Sequence, residues 1–368
     1  MSKKRIVWVI TGSFGRGGAE RQAIEAGKFL LQQGQEVKFI VLAKATDEYP
    51  MPPDAVRFQL NMTGGDLPAN IFRLVKHAIT SPPKAVVSFG LPANFAGRFI
   101  KIFVPSVRLI TSIRTQKVQG IRRRLVRFGR RWDKWTVYNS RTVADQHVKD
   151  GIADPKRVKV VFNAVSMPPA DPTAREKIRE SLGLQQGDFL WGTIGRMEAV
   201  KDHLMLINSG VDTWLKKSKL VIVGHGPLAD DIAQLVKRLG LEDRVFLPGR
   251  QSNISDWCSA MDAFVLSSKW EGMPNGLLEA MNCGLPCVST QVGGVAEVLE
   301  NGKNGLMVPP QDPEAISKAM ETMLAMELPE RDNLATRGQT FIVKHCAPNV
   351  IAKQWCGLIL GEDEPASS

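Results

Sequence analysis

Short apolar runs alternate with amphipathic stretches along most of this 368-residue chain. Ile6–Ile10, Val37–Leu42, Ala85–Phe89, Val107–Thr111, Thr136–Tyr138 and Val158–Phe162 are short and apolar, and read as strands. Between them, Glu20–Gln33, Asn70–Ala78 and Ser140–Lys149 carry apolar residues at helical spacing, with Asn139 or Ser140 placed to cap the last. Ser166–Thr173 holds three prolines and no period, so it reads as a linker. A second alternation follows. Its strands are Leu190–Ile194, Leu220–Val223, Arg244–Leu247, Ala263–Leu266, Cys287–Ser289 and Leu306–Val308. Its helices are His203–Asn208, Leu228–Leu239, Asn275–Asn282, Pro313–Leu324 and Glu330–His345.

This β/α order predicts parallel sheets covered by helices. The expected fold class is α/β, with two doubly wound, Rossmann-like domains facing each other across a cleft. One is expected over 1–165 and one over 174–345, with 166–173 between them. Open α/β sheets bind ligands at the carboxyl ends of their strands, and a cleft would bring two sets of such ends together. The tail Gly361–Ser368 reads as disordered.

Composition narrows the class. Apolar residues are 43% of the chain, which supports two cores and argues against global disorder. The start sets a basic run before Ile6–Ile10, as a signal peptide does. That apolar run is short, however, and leads into a Gly-rich loop with no small-residue cleavage site. A first strand of a cytoplasmic protein is the expectation. No stretch reaches the ~20 apolar residues that cross a bilayer. The five cysteines include no Cys-x-x-Cys pair, and Cys283 and Cys287 lack a second pair or a nearby histidine. They read as buried thiols. Neither a metal nor a cofactor is expected.

The net charge of +11 is concentrated: eleven Lys or Arg and one acid, Asp133, lie between Lys101 and Trp135. Within Gly120–Trp135, seven cations are interleaved with Ile121, Leu125, Val126, Phe128, Trp132 and Trp135. Spacings of three, four and seven put several of these apolar residues on one helical face. A basic amphipathic helix with aromatics fits an anionic membrane surface. A helix packed on the first sheet with a solvated basic face is the alternative.

Five loops follow predicted strands and carry candidate chemistry. In Thr11–Arg21 the glycines Gly15, Gly17 and Gly18 let a backbone approach a ligand, the helix start offers free amides, and Arg16 adds a cation. The loop fits neither the dinucleotide fingerprint nor a P-loop. A tight turn without a ligand is equally compatible with it. Gly195–Asp202 places Arg196 and Lys201 five apart after a strand, where two cations clamp a diphosphate. Gly224-His225-Gly226-Pro227 and Phe246–Gln251, with Arg250, also follow strands. The last of these is suited to walling off a flat base.

The fifth loop is the most informative. After Ala263–Leu266 come Glu271, Gly272, Met273, Pro274, Asn275, Gly276 and Leu277, with Glu279 inside the helix that follows. The helix start offers amides to a phosphate. Glu279 is placed to accept from a ribose diol and Glu271 from sugar hydroxyls. Paired carboxylates also permit a glycosidase, but glycosidases need neither a phosphate-binding helix start nor an Arg/Lys clamp.

With Gly17–Glu20, Phe162–Val165, Val292–Val298, Asn304-Gly305 and Val308–Asp312, these motifs make residues 6 to 312 resemble the retaining glycosyltransferase family 4, which has the GT-B fold. The resemblance implies a sugar transfer from a nucleotide-diphosphate sugar, a UDP-sugar being favoured. Glu271 would contact the donor sugar, Glu279 the ribose, and Arg196 and Lys201 the diphosphate, without metal. It also implies a last helix, about 346–361, that returns to the first domain. Where many members have an acceptor-side histidine, this chain has Arg114, and Asn163–Ser166 lacks the usual Gly and Asp. Arg114, Arg122, Arg123, Arg124 and Arg127 are the candidate acceptor contacts. A polyprenyl-diphosphate-linked saccharide or a lipopolysaccharide core is the implied acceptor, met on the inner face of the cell membrane. The donor motifs argue against nucleic acid as the anionic partner. The competing functions are a sugar-nucleotide epimerase, a phosphorylase, and a non-catalytic nucleotide-sugar-binding protein on the same double fold.

Overall fold

The computed structural model of the chain describes residues 6–15, 17–44, 50–60, 67–116 and 118–361. Arg16, the basic start and the tail from residue 362 lie outside the described residues. The chain forms two compact units: one runs up to Ala164 and resumes at Pro348, and the other is Val165–Ala347.

The first unit holds β1 (Ile6–Thr11), α1 (Gly18–Gln32), β2 (Glu36–Val41), β3 (Val56–Gln59), α2 (Leu67–Thr80), β4 (Ala85–Phe89), α3 (Leu91–Phe103), β5 (Arg108–Ile113), α4 (Gly120–Gly129), β6 (Trp135–Tyr138), α5 (Arg141–Lys149) and β7 (Val158–Val160). Among the described residues its seven strands are parallel in the order β3-β2-β1-β4-β5-β6-β7. Successive side chains of a strand point to opposite faces, and β1 is apolar on both. Val7 and Val9 join the core under α1, while Trp8 and Ile10 join the core under α2 and α3. A strand buried on both faces is a continuous apolar run. That is why periodicity located β1, β4 and β5.

The second unit holds α6 (Ala174–Ser181), β8 (Leu190–Ile194), α7 (His203–Gly210), β9 (Lys219–Val223), α8 (Ala229–Arg238), β10 (Val245–Gly249), α9 (Ile254–Ala260), β11 (Ala263–Leu266), α10 (Asn275–Asn282), β12 (Cys287–Thr290), α11 (Val295–Val298), β13 (Leu306–Val308), α12 (Pro313–Ala325) and α13 (Leu328–His345). Its six parallel strands run β10-β9-β8-β11-β12-β13. Leu220 and Ile222 of β9 pack with Leu206 of α7, Ile232 of α8 and Met320 of α12. The proline-rich segment is fastened to this unit: Pro168 accepts from Ser255 Oγ at 2.5 Å, and the Asp171 amide donates to Asp256 at 2.7 Å.

The last helix, α14 (Pro348–Leu360), belongs to the first unit. Ile351, Trp355, Leu358 and Ile359 enter the core beside α1, and Trp355 meets Phe89 at 5.2 Å. Arg108 Nε donates to the Leu358 carbonyl at 2.8 Å.

The basic helix is shorter than its apolar spacing predicts. α4 ends at Gly129, a 3-10 turn covers Arg130–Trp132, and Trp135 opens β6. Asp133 is the cause. It is fully buried and takes a two-pronged ion pair from Arg98 of α3, at 3.0 and 2.6 Å, with Thr111 and Thr136 donating to Oδ2. A buried carboxylate needs such partners, and reaching them turns the chain inward before Trp135.

Candidate functional site

In the second unit, strand order reverses between β8 and β11. Connections leaving neighbouring strands in opposite directions open a crevice at their carboxyl ends. The loops leaving these two strands carry Lys201 and Glu271. They are joined by three contacts: the Lys269 amide donates to the Val200 carbonyl at 2.8 Å, Ser267 Oγ to the Lys201 carbonyl at 2.7 Å, and Lys269 Nζ lies 3.1 Å from Asp202 Oδ1.

Across this seam Lys201 Nζ donates to Glu271 Oε1 at 2.6 Å, the two side chains being only 16% and 15% exposed. Charge-assisted bonds of this length are strong. Ser268 Oγ donates to the same oxygen at 2.8 Å. Sequence motifs singled out Lys201 and Glu271. Ser268 escaped them, although its position at the end of a strand entering the glutamate loop was a usable signal.

Arg196 lies differently. It is 68% exposed and pairs with Glu198 Oε1 at 2.9 Å, so its guanidinium faces solvent while Lys201 lies largely inside. The adjacent His203 is buried, and burial, then the Lys201 charge, lower its pKa to about 3. It is therefore neutral across the physiological range.

Two glycines shape the crevice floor. A Cβ on Gly224 would collide with the Gly195 carbonyl, so the β8 and β9 loops interlock there, and Met197 donates to the His225 carbonyl at 3.3 Å. A Cβ on Gly276 would lie 2.5 Å from the Ile194 carbonyl, so the start of α10 rests directly on the end of β8. That contact brings the first amides of α10, at Gly276 and Leu277, beside the Gly195 turn. Met273 and Pro274 are buried beneath them, and the Gly294 amide ties the Gly272 carbonyl down at 2.8 Å. Glu279, one turn beyond Asn275, is 7% exposed. Gly226 closes on the Met197 carbonyl, while His225 and Arg250 are exposed at the ends of β9 and β10.

In the first unit, the strand-order reversal falls between β1 and β4. The loop leaving β1 carries Gly17, the N-cap of α1, and Gly18, its first residue. The Glu20 side chain folds back over Gly17, and burial raises its carboxyl pKa. Arg114 leaves β5 half-buried. It donates to Asn163 Oδ1 and, at 3.1 Å, to Ser112 Oγ, and it lies 5.2 Å from the Phe89 ring centre. Burial lowers its pKa to about 9, so it stays charged at neutral pH.

The α4 arginines Arg122, Arg123, Arg124 and Arg127 are all exposed. Arg123 donates to the Asp150 carbonyl at 2.9 Å, and with Gly120, Ile121, Arg124 and Arg127 it lines a cavity of about 490 Å³. Ile121, Leu125 and Phe128, spaced four and three apart, are 66%, 47% and 57% exposed, whereas Val126 is buried. Among the described residues no helix is long and apolar enough to cross a membrane, and no three His, Cys, Asp or Glu side chains cluster to hold a metal ion.

Solved structures share this architecture. Anabaena Alr3699/HepE in complex with UDP-glucose superposes with a TM-score of 0.83 over 97% of this chain and all of that one, at 19% identity. The fold is therefore GT-B: two parallel-sheet, Rossmann-like domains. Residues 16–167 match the model of Glycosyltransferase Family 4, and residues 188–326 that of Glycosyl transferases group 1. The two models together cover most of the chain with glycosyltransferase domains, of Family 4 in its first part and of group 1 in its second.

Among curated relatives, it is 27% identical over 238 residues to the N-acetyl-alpha-D-glucosaminyl L-malate synthase of Bacillus anthracis, covering 63% of this chain and 60% of that protein. It is 30% identical over 183 residues to the UDP-Gal:alpha-D-GlcNAc-diphosphoundecaprenol alpha-1,3-galactosyltransferase of Escherichia coli, covering 47% of this chain and 46% of that one. The matched region thus spans only about half of these relatives' length.

Proposed function

We propose that this protein is a retaining glycosyltransferase that moves a sugar from a nucleotide-diphosphate sugar, with UDP as the favoured nucleotide, to a membrane-associated glycan acceptor. The observation that carries the reading is the Lys201–Glu271 contact at the strand-order reversal of the second sheet, beside the start of α10. It sets a cation for a diphosphate next to a carboxylate for sugar hydroxyls. The solved complex with UDP-glucose and the UDP-Gal-dependent relative support the donor class.

In this reading Lys201, Arg196 and the first amides of α10 hold the diphosphate, and Glu279 accepts from the ribose. Gly195, Gly224 and Gly226 let the β8 and β9 loops close on each other beneath the ligand, with His225 and Arg250 at its edge. Gly17 and Gly18 leave the start of α1 open to a phosphate. The acceptor hydroxyl attacks the anomeric carbon on the face from which the diphosphate departs. As the new C–O bond forms and the old one breaks, the leaving oxygen takes the hydroxyl proton. The protein's own groups position the partners and offset the developing charge, without metal.

Arg114 and the α4 arginines fit an anionic acceptor, either a polyprenyl-diphosphate-linked saccharide or a lipopolysaccharide core. The diphosphoundecaprenol-linked substrate named for the Escherichia coli relative supports the first. The exposed apolar residues of α4 among its cations support peripheral binding to an anionic membrane, on its cytoplasmic face.

The test is a panel of UDP-, GDP- and ADP-sugars with lipid-linked acceptors, following nucleotide release and the anomeric configuration of the product by NMR. Transfer with retention in excess chelator is the expected result. An inverted product, loss of transfer in chelator, or no nucleotide release from any donor would each overturn the corresponding part of the reading.

A further inference from the structure

Glu271 is held by one oxygen. Oε1 accepts from both Lys201 Nζ and Ser268 Oγ, and among the described residues no other hydrogen bond reaches this side chain. Ser268 is fully buried, so its hydroxyl has no water to turn to. It is fixed in turn from the next strand: Thr290 Oγ1, at the end of β12 and also fully buried, donates to the Ser268 carbonyl at 2.8 Å. On the other side the Lys269 amide is tied to Val200.

A glutamate has three rotatable bonds, and an unrestrained carboxylate samples several orientations. Two donors on one oxygen select a single orientation. They also leave Oε2 without a protein partner. An ammonium has three N–H groups, so Lys201 can keep Glu271 with one and offer the others to an anion. Lys201 alone would make a poor anchor, because its long side chain shifts towards any anion that arrives. The Ser268 hydroxyl is short, buried and pinned, so it stays in place.

We propose that Ser268 is a positioning residue that fixes the Glu271 carboxylate with Oε2 as the oxygen offered to a donor-sugar hydroxyl, and that Thr290 holds Ser268 for this task. The inference rests on the reading of Glu271 as the sugar-contacting group.

The experiment compares Ser268→Ala, Glu271→Gln and the double variant. UDP binding is measured by calorimetry, and turnover by UDP release from UDP-glucose, UDP-galactose and UDP-N-acetylglucosamine. Ser268→Ala should bind UDP like the wild type yet lose about tenfold or more in kcat/KM for the sugar nucleotide that is turned over, the size expected for a lost hydrogen bond to a charged group. In the Glu271→Gln background, adding Ser268→Ala should cost less than about twofold, because residues acting through one another are not additive. Parallel losses of UDP affinity and kcat/KM, or two losses that multiply, would overturn the positioning role. Wild-type turnover in Glu271→Gln alone would remove the underlying reading of Glu271, and the positioning role with it.

Discussion

The Lys201 ammonium and the Glu271 carboxylate meet at 2.6 Å although 70 residues separate them, because their loops leave the adjacent strands β8 and β11. In the absence of a donor each neutralises the other, so neither is a buried unpaired charge. Lys201→Ala should lower turnover by about 10²-fold or more, as loss of a charge stabiliser does, and should also leave Glu271 without its cation. Arg196→Ala should lower turnover to a similar degree with an unchanged melting temperature, since Arg196 is mostly in solvent. Steady-state kinetics with thermal melts separate the two. Near-normal turnover in either variant would remove that residue from the diphosphate site.

Gly276 supports a second prediction. Alanine there would put a methyl group 2.5 Å from the Ile194 carbonyl and push the start of α10 off β8. Gly276→Ala should cost about 1–3 kcal/mol of stability, the usual range for overpacking. It should also weaken UDP binding, because the helix amides would shift. Urea unfolding and calorimetric titration with UDP check both parts. An unchanged UDP affinity would argue against a role for the α10 amides.

On α4, the exposed positions Ile121, Leu125 and Phe128 can be changed without touching a core. Their serine variants should float less with anionic vesicles and keep the wild-type melting temperature. Each of Arg122, Arg124 and Arg127 should contribute about 1 kcal/mol to that binding, so single charge-neutral variants lose roughly fivefold in partitioning. Vesicle flotation with phosphatidylserine against phosphatidylcholine is the measurement. Equal flotation on both lipids would remove the membrane assignment.

His203 makes stability depend on pH. Its folded pKa is lowered to about 3, whereas in the unfolded chain it takes a proton near 6.5. Between those values the unfolded state binds more protons, so stability falls as pH falls through that window. The slope from this one group is at most roughly 1.4 kcal/mol per pH unit. Urea midpoints for the wild type and His203→Asn between pH 7 and pH 4 should show a shallower acid loss in the variant. Identical slopes would mean that His203 is protonated in the folded protein.

Much of this architecture is legible in the chain's own pattern because most strands are buried on both faces and read as unbroken apolar runs. β3 was not legible. Val56–Gln59 is a half-polar edge strand with Val56 half exposed, so it lacks both a full apolar run and a clean alternation. α3 is hidden for the opposite reason. Leu91–Phe103 is apolar nearly all round and starts after Gly90 with no side-chain cap.

At the candidate site, Lys201 and Glu271 stand in recognisable loops, but their contact depends on β8 and β11 being neighbours, which strand order alone decides. Ser268 and Thr290 depend on the next adjacency, β11 with β12. The place of Ser268 before the glutamate loop marks it as near the site, but which groups it and Thr290 meet is set by the neighbouring strands.

α14 has a consequence for how the protein is made. The first unit cannot close its core until residues after Val165–Ala347 have been synthesised, since Trp355 and its neighbours pack against α1. During vectorial synthesis the second unit can therefore be complete while the first still exposes apolar surface on β1 and α1. The first domain to leave the ribosome is the last to finish, and a stop codon shortly before Pro348 would spare the second unit while leaving the other open to proteolysis.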